Sequence, residues 1–205
     1  MSTHIDDRSA AQRNKGPIFA ALKPWLADAA EVLEVGAGDA THARHAVECM
    51  PGVRWQTSEA PAHHRRLVAA ITDAADIGLP APLALDVRGE WPDRSFDAVY
   101  GANVAHIMDW AAVQALFAGA AAHLTDRGVL CLYGPFLIAD EAPAAGNAAF
   151  DAALRARDAG MGLREVGALD DLADAQELSR VADIPMPSDN RLLIWSSTPL
   201  RSTIG

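Results

Sequence analysis

The chain has 205 residues, half of them apolar, and 17 Lys and Arg against 27 Asp and Glu leave a formal net charge of -10. That length and apolar content suit one globular domain over residues 1–205, with a sizeable core. The acid excess excludes a nucleic-acid partner gripped through its phosphates, because no basic surplus exists to displace counterions. No apolar run is long enough to span a bilayer, so no membrane partner is expected. Residues 1–14 are polar and lack a signal-peptide core, which points to a cytoplasmic protein. Cys49 and Cys131 lie far apart with no metal-ligand spacing, and no metal site is expected.

Residues 1–12 read as a flexible arm, or as a lid that orders over a ligand. Pro17 suits a first helical turn, and Ile18, Leu22 and Trp25 fall near one face of a helix that Pro24 ends or kinks. Arg13 and Asn14 precede the first strand. They either fold over a site there or sit at a solvated helix start. Val32-Leu33-Glu34-Val35 is a short strand that stops at Gly36-Ala37-Gly38-Asp39-Ala40-Thr41. A helical pattern follows at once, with Ala43, Ala46, Val47 and Met50 on one face. Glycines there let the backbone approach a ligand closely, and a helix start offers unpaired N–H groups. This is how α/β proteins hold nucleotide-like ligands at the carboxyl ends of parallel strands. The dinucleotide fingerprint wants a third glycine where Thr41 stands, so it fails. Glu34 is a carboxyl group inside an apolar strand and needs partners. It either serves the glycine loop or caps a neighbouring backbone group. His42 and His45 follow on the helix, without a third ligand to make a metal site.

A second strand over residues 53–58 ends at Glu59. An acid about 20 residues past such a loop bonds ribose hydroxyls, and it equally suits the start of the next helix. Leu67, Val68, Ile71 and Ala74 mark that helix, with His63, His64, Arg65 and Arg66 on its wet face. Residues 82–87 form a short strand with Asp86 near its end. A fourth strand, 96–100, runs into the loop Gly101 to Ile107 at the sheet centre, where strand order should reverse and ligands gather. The helix 110–124 carries a core stripe of Val113, Leu116, Phe117, Ala120 and Leu124. Asp126-Arg127-Gly128 reads as a turn before a fifth strand, 129–133, and Gly134-Pro135-Phe136. Residues 137–165 form a substrate-side insertion whose helix, 147–157, turns Phe150, Ala153 and Leu154 inward. A helix over 170–183, a weak edge strand or linker at 184–187 and a last strand at 192–196 complete the chain.

Together these pieces resemble the class I methyltransferases that use S-adenosylmethionine (SAM). The acid-plus-glycine loop, the acids after strands two and three and the closing strand pair carry the likeness. More specifically, the chain resembles the family of methyltransferase-like protein twenty-six. The matching segments are Arg13-Asn14-Lys15, Leu33-Glu34, Trp55-Gln56, Asn103 with His106-Ile107, Trp110 and Tyr133-Gly134-Pro135-Phe136. Asn147 with Phe150-Asp151, Leu154-Arg155, Gly162-Leu163-Arg164 and Met186-Pro187 with Asn190 extend the match nearly to the C-terminus. Ala40 replaces the family's third loop glycine and Glu59 its Asp. Asp189 stands for the first of a paired Asn-Asn, and Met161 for a Trp before Gly162.

The resemblance implies an α/β, Rossmann-like doubly wound fold. Its sheet has seven mostly parallel strands with an antiparallel last strand, and helices on both faces. It implies SAM as cofactor and S-adenosylhomocysteine as product. Glu34, Gly36, Gly38, Glu59, Asp86, Asn103 and Arg13 would hold the cofactor, Arg13 through a two-pronged contact to a carboxylate. His106 is the leading general base, because an imidazole titrates near neutral pH; the alternative is a buried histidine bonded to backbone. Tyr133 either orients substrate or packs. Phe136, Asn147, Phe150 and Arg164 are pocket residues. The expected reaction is methyl transfer to an O, N or S nucleophile of a small molecule. A catalytically silent SAM- or ligand-binding module is the alternative. A nicotinamide-dependent oxidoreductase is the weaker one, for want of the third glycine and a hydride-handling motif.

Overall fold

The computed structural model describes residues 9–72 and 78–197. In chain order they form α1 (Ala10–Leu22), β1 (Glu31–Val35), α2 (Thr41–Cys49), β2 (Arg54–Glu59), α3 (His64–Thr72), β3 (Leu83–Ala84) and β4 (Phe96–Ala102). Then come α4 (Trp110–His123), β5 (Leu124–Gly134), β6 (Phe136–Leu137), α5 (Ala145–Arg157), β7 (Arg164–Glu165), α6 (Val166–Asp174), β8 (Ser179–Met186) and β9 (Asn190–Ser196).

Seven strands make one sheet in the order β3-β2-β1-β4-β5-β9-β8. The first five of these pair in parallel, and β9 runs antiparallel to both β5 and β8. This is the doubly wound, mostly parallel seven-stranded sheet with an antiparallel last strand that the sequence leads one to expect. Central strands buried on both faces need apolar side chains on both, and β1 supplies them. Leu33 and Val35 join Val113, Leu116 and Phe117 of α4 and Leu169 of α6 on one face. Val32 joins Ile18 and Leu22 of α1, Ala43 and Ala46 of α2 and Leu67 of α3 on the other.

Four local expectations change. The first helix starts at Ala10, not near Pro17, because Ser9 caps it by accepting from the Gln12 N–H at 3.2 Å. Residues 10–12 of the expected arm are therefore helical, and residues 1–8 lie outside the described residues. Asp126, Arg127 and Gly128 do not turn the chain. They bulge within β5, whose pairing with β4 slips between Phe96↔Leu124 and Ala98↔Val129. The helix expected over 170–183 ends at Asp174. Glu177 takes a left-handed φ of 58°, and the edge strand β8 begins at Ser179. Val181 and Leu178 mimic a helical spacing, but Val181 belongs to a half-buried edge strand that also tolerates Pro185. In α5 only Leu154 is buried, whereas Phe150 and Ala153, both expected inward, are exposed. Ala74, expected at the end of the third helix, lies outside the described residues.

The 137–165 insertion is closed at its base by a two-stranded parallel ladder, β6 on β7, pairing Phe136 with Arg164 and Leu137 with Glu165. The helix α4 starts at an Asp109 cap, whose carboxylate accepts from the Ala112 N–H at 2.9 Å. Leu116 of that helix is fully buried against the sheet. Leu116→Ala should cost about 2–5 kcal/mol of stability through lost transfer energy and an unfilled cavity. Urea unfolding followed by Trp fluorescence checks this.

Candidate functional site

Strand order reverses between β1 and β4, so the loops leaving their carboxyl ends diverge and open a crevice. The first of these loops is the glycine turn. Gly36 takes φ 71°, and a Cβ there would sit 2.5 Å from Val104 Cγ1 of the β4–α4 loop. No larger residue fits between the two loops. Gly38 takes φ 59°, and its N–H donates to Glu59 Oε2 at 3.0 Å. The Ala37 N–H donates to the Ser58 carbonyl at 3.0 Å. So the glycine turn is tied to the end of β2, and Glu59 is held beside it. The other Glu59 oxygen accepts from the Ala60 N–H at 2.9 Å. Each carboxylate oxygen keeps lone-pair capacity for a further donor. Ala40, where a glycine is usual, adopts a left-handed φ of 60° at the start of α2.

Asp86 follows β3 and is exposed; it accepts from the Arg88 N–H at 3.0 Å in a local turn. Arg88 in turn pairs with the Asp109 cap of α4. Asn103 leaves β4 with a left-handed φ of 59°, and its N–H donates to the Tyr133 carbonyl at 2.8 Å. That bond pins the β4 loop to the end of β5. A side-chain carbon at Gly134 would lie 3.6 Å from both Asn103 Oδ1 and His106 Nδ1. Asn103, His106 and the end of β5 therefore converge. His106 is 4 % exposed. Burial, and then the nearby Arg164 cation, pull its imidazole down to about 4, so it is neutral at pH 7. Its ring nitrogens have no hydrogen-bond partner among the described residues, and its ring meets the edge of Phe150 at 5.2 Å.

Glu34 lies beneath this crevice. Its carboxyl is 2 % exposed and accepts from Trp55 Nε1 at 2.7 Å. The partner is an indole, neither an open ligand face nor a neighbouring backbone group. Burial raises this carboxyl to about 8, against the pull of the Trp55 bond. His42 Nδ1 lies 3.9 Å from it. Burial lowers that imidazole to about 4, so the two groups face each other uncharged at neutral pH. A neutral His42 fits its contacts. Tyr100 Oη donates to Nδ1 at 3.2 Å, and Nε2–H donates to Asn14 Oδ1 at 2.9 Å. The nearby Asn14 side chain partly offsets the rise that burial imposes on the Tyr133 phenol. A chain of hydrogen bonds thus runs from Tyr100 through His42 to Asn14, beside Tyr133. It couples α1 to the sheet.

Sequence reasoning did not assign Asn14, His42, Trp55 and Tyr100 to one network. Strand pairing brings them together, since Glu34 lies opposite Thr57 on β2 and Tyr100 on β4, and residue spacing alone carries no signal of it. Arg13 sits exposed on the same helix turn as Asn14. Arg164, expected in the pocket, is bonded to protein instead. It donates to the carbonyls of Ala105 at 3.0 Å and Gly160 at 2.7 Å, and to that of Met108. With the Gly162 N–H donating to the His106 carbonyl at 3.0 Å, it bolts the insertion to the loop bearing His106. Asn147 bonds the Asp189 carbonyl at 3.0 Å and, with Phe136, lines a separate cavity of about 360 Å³. Among the described residues no group of three or more His, Cys, Asp or Glu is placed to hold a metal ion, and no helix is long and apolar enough to cross a membrane.

The buried Glu34 carboxyl sets a pH dependence with a definite sign. The folded chain keeps a proton up to about 8 that the unfolded chain releases near 4.5. Its contribution to stability is therefore fully present below pH 4.5 and is lost as pH rises through about 8. Glu34→Gln removes this titration, so the variant should gain on the wild type between pH 5 and pH 9. Thermal melts of both proteins across that range check it, and parallel curves would contradict a buried neutral carboxyl.

The fold recurs in solved structures. Mitomycin 7-O-methyltransferase MmcR superposes with a TM-score of 0.75 at 17 % identity, over 94 % of this chain and 59 % of its own. An O-methyltransferase family protein from Burkholderia thailandensis gives 0.75 at 15 % identity, over 94 % and 61 %. PigF with SAH gives 0.76 at 15 % identity, over 92 % and 63 %. The chain thus spans about three-fifths of the length of these proteins, and at such identities they establish the fold. A family model matches residues 6–197, nearly the whole described chain, and the protein belongs to that family, the proteins of unknown function DUF938.

Proposed function

We propose that the chain is a SAM-dependent methyltransferase acting on an O, N or S nucleophile of a small molecule. The observation that carries this reading is the glycine turn at the β1/β4 switch point, tied through Gly38 to the Glu59 carboxylate. The solved structures of the same fold support it. One is named a 7-O-methyltransferase, and another was determined with SAH. Of the segments resembling methyltransferase-like protein twenty-six, Asn103 with His106-Ile107 and Tyr133-Gly134-Pro135-Phe136 lie at the carboxyl ends of β4 and β5.

The residues present fit the cofactor. Gly36 and Gly38 leave backbone where side chains would obstruct a ligand, and Glu59 offers acceptors to ribose hydroxyls. Asp86 is exposed at the end of the third strand, at the place where an adenine amino group would be met. Asn103 borders the crevice from β4. Glu34 acts from below, through the strand end it stabilises, and Arg13 on α1 is assigned to a carboxylate of the cofactor. Bound SAM would supply an already activated methyl group on sulfur. The protein's tasks are then to align the acceptor, exclude water and take up its proton. His106 and Tyr133 stand at the ends of β4 and β5 for this purpose. Neutral His106 accepts a hydrogen bond from the nucleophile and takes its proton as the methyl is transferred. Tyr133, with Asn14 nearby, donates its O–H and orients the acceptor. Arg164 and Gly162 position the His106 loop.

Calorimetric titration with SAM, S-adenosylhomocysteine and NADH tests the cofactor. Micromolar binding of the adenosyl ligands is expected, weakened about 10- to 100-fold in Glu59→Ala by loss of charge-assisted bonds. Binding of NADH alone would overturn the reading. His106→Ala should keep SAM affinity and lose turnover. With a neutral imidazole held near 4, the acidic limb of the kcat/KM profile should fall near pH 4 rather than near 6.5. An unchanged profile in His106→Ala would remove the base role.

A further inference from the structure

The cavity beside the insertion is lined by residues of two elements that meet at the carboxyl edge of the sheet. Phe136, Glu141 and Asn147 come from the insertion; Met186, Asp189 and Asn190 come from the β8–β9 hairpin. Its volume of about 360 Å³ is that of a site for a small organic molecule. Phe136 and Met186 give it apolar wall. The polar groups left over are of one kind. The Asn147 amide nitrogen donates to the Asp189 carbonyl at 3.0 Å, and that of Asn190 to the carbonyls of Pro187 at 3.0 Å and Ser188 at 3.1 Å. Each side chain therefore keeps its carbonyl oxygen, an acceptor, for a ligand. The carboxylates of Glu141 and Asp189 are exposed, and neither forms an ion pair among the described residues. The cation on the wall, Arg191, is neutralised by Asp183 at 2.6 Å. A ligand that satisfies this lining brings donors and positive charge to acceptors and negative charge.

The cavity also has a physical link to the reactive edge. Asn147 lines it, and Phe150, three residues on along α5, touches the His106 ring. At 1.5 Å per residue the two lie about 4.5 Å apart along the helix axis. One helix therefore borders both the cavity, at Asn147, and the His106 ring, at Phe150.

We propose that this cavity binds a small molecule with an apolar body and a protonated amine. On the transferase reading, on which this step rests, that molecule is the methyl acceptor. The apolar body packs on Phe136 and Met186, and the ammonium, with at most three N–H groups, donates among the acceptors of Glu141, Asp189 and the two amides. The chemistry is a binding preference and does not fix which atom is methylated.

Three probes of one size separate the possibilities: 2-phenylethylamine, 2-phenylethanol and 3-phenylpropionate. Their affinities for the full chain are measured by ligand-observed NMR, with and without S-adenosylhomocysteine. The amine should bind at least tenfold more tightly than the other two. Glu141→Gln with Asp189→Asn should erase that preference, while thermal melting and S-adenosylhomocysteine affinity stay as in the wild type. Equal affinities, a preference for the carboxylate, no binding by any probe, or a preference that survives the double substitution would each overturn the proposal. The two readings fail separately. Loss of S-adenosylhomocysteine binding alone removes the transferase reading and leaves the amine preference to be scored on the chain without it.

Discussion

A carboxyl group buried in the central strand demands a hydrogen-bond donor, and much of the molecule is arranged around supplying one. Glu34 sits in β1, between β2 and β4, at 2 % exposure. Trp55 meets it from β2, so the indole must be two residues upstream of Thr57, the strand neighbour of Glu34. The remaining space on that face is filled by His42 from α2 and Tyr100 from β4. Neither can be charged there without loss, because burial disfavours the ionised form of each. Satisfying His42 then requires Asn14, and Asn14 fixes where α1 lies. One polar group in an apolar strand is thereby linked to two helices and two strands, and the network ends at Asn14, beside Tyr133.

The opposite side of the crevice is set by backbone carbonyls. The β4–α4 loop, residues 103–109, holds Asn103 in a left-handed conformation and turns His106 inward. Such a loop exposes carbonyl oxygens that need donors. Arg164 supplies them at Ala105 and Met108, and the Gly162 N–H does so at His106. A guanidinium suits this task because its fork of N–H groups serves several carbonyls at once, which a lysine ammonium does less well. The insertion is therefore part of the frame of the site. Its helix α5, with one buried residue, contributes an exposed face that stays available for contact.

The parts of this architecture that depend on local pattern were legible in the sequence. The glycine turn after β1, the acid after β2 and the stripe of α4 all show in residue spacing, and they place the crevice correctly. The parts that depend on pairing across the sheet were not. Trp55, Tyr100 and His42 are separated by tens of residues and meet only when register is known. Arg164 counts as a pocket residue through the resemblance and its place in the insertion. Two of its three carbonyl partners, Ala105 and Met108, belong to a loop about 60 residues earlier and carry no sequence signal. The stretch 178–183 reads as the end of a helix because Leu178 and Val181 sit three apart. An edge strand with one half-buried face shows too little alternation to overrule that.

The neutrality of the Glu34–His42 pair has a counterpart at the far edge of the sheet. There Arg180 pairs with Asp170 and Asp183, and Arg191 pairs with Asp183, all partly exposed. Dissolved ions screen charges at a protein surface but have little hold on buried dipoles. The α1 side of the molecule is joined by uncharged hydrogen bonds, and the β8–β9 hairpin by ion pairs. Rising ionic strength therefore loosens the two edges unequally: the hairpin beside the cavity yields first, while the glycine turn and the helix over Glu34 keep their geometry.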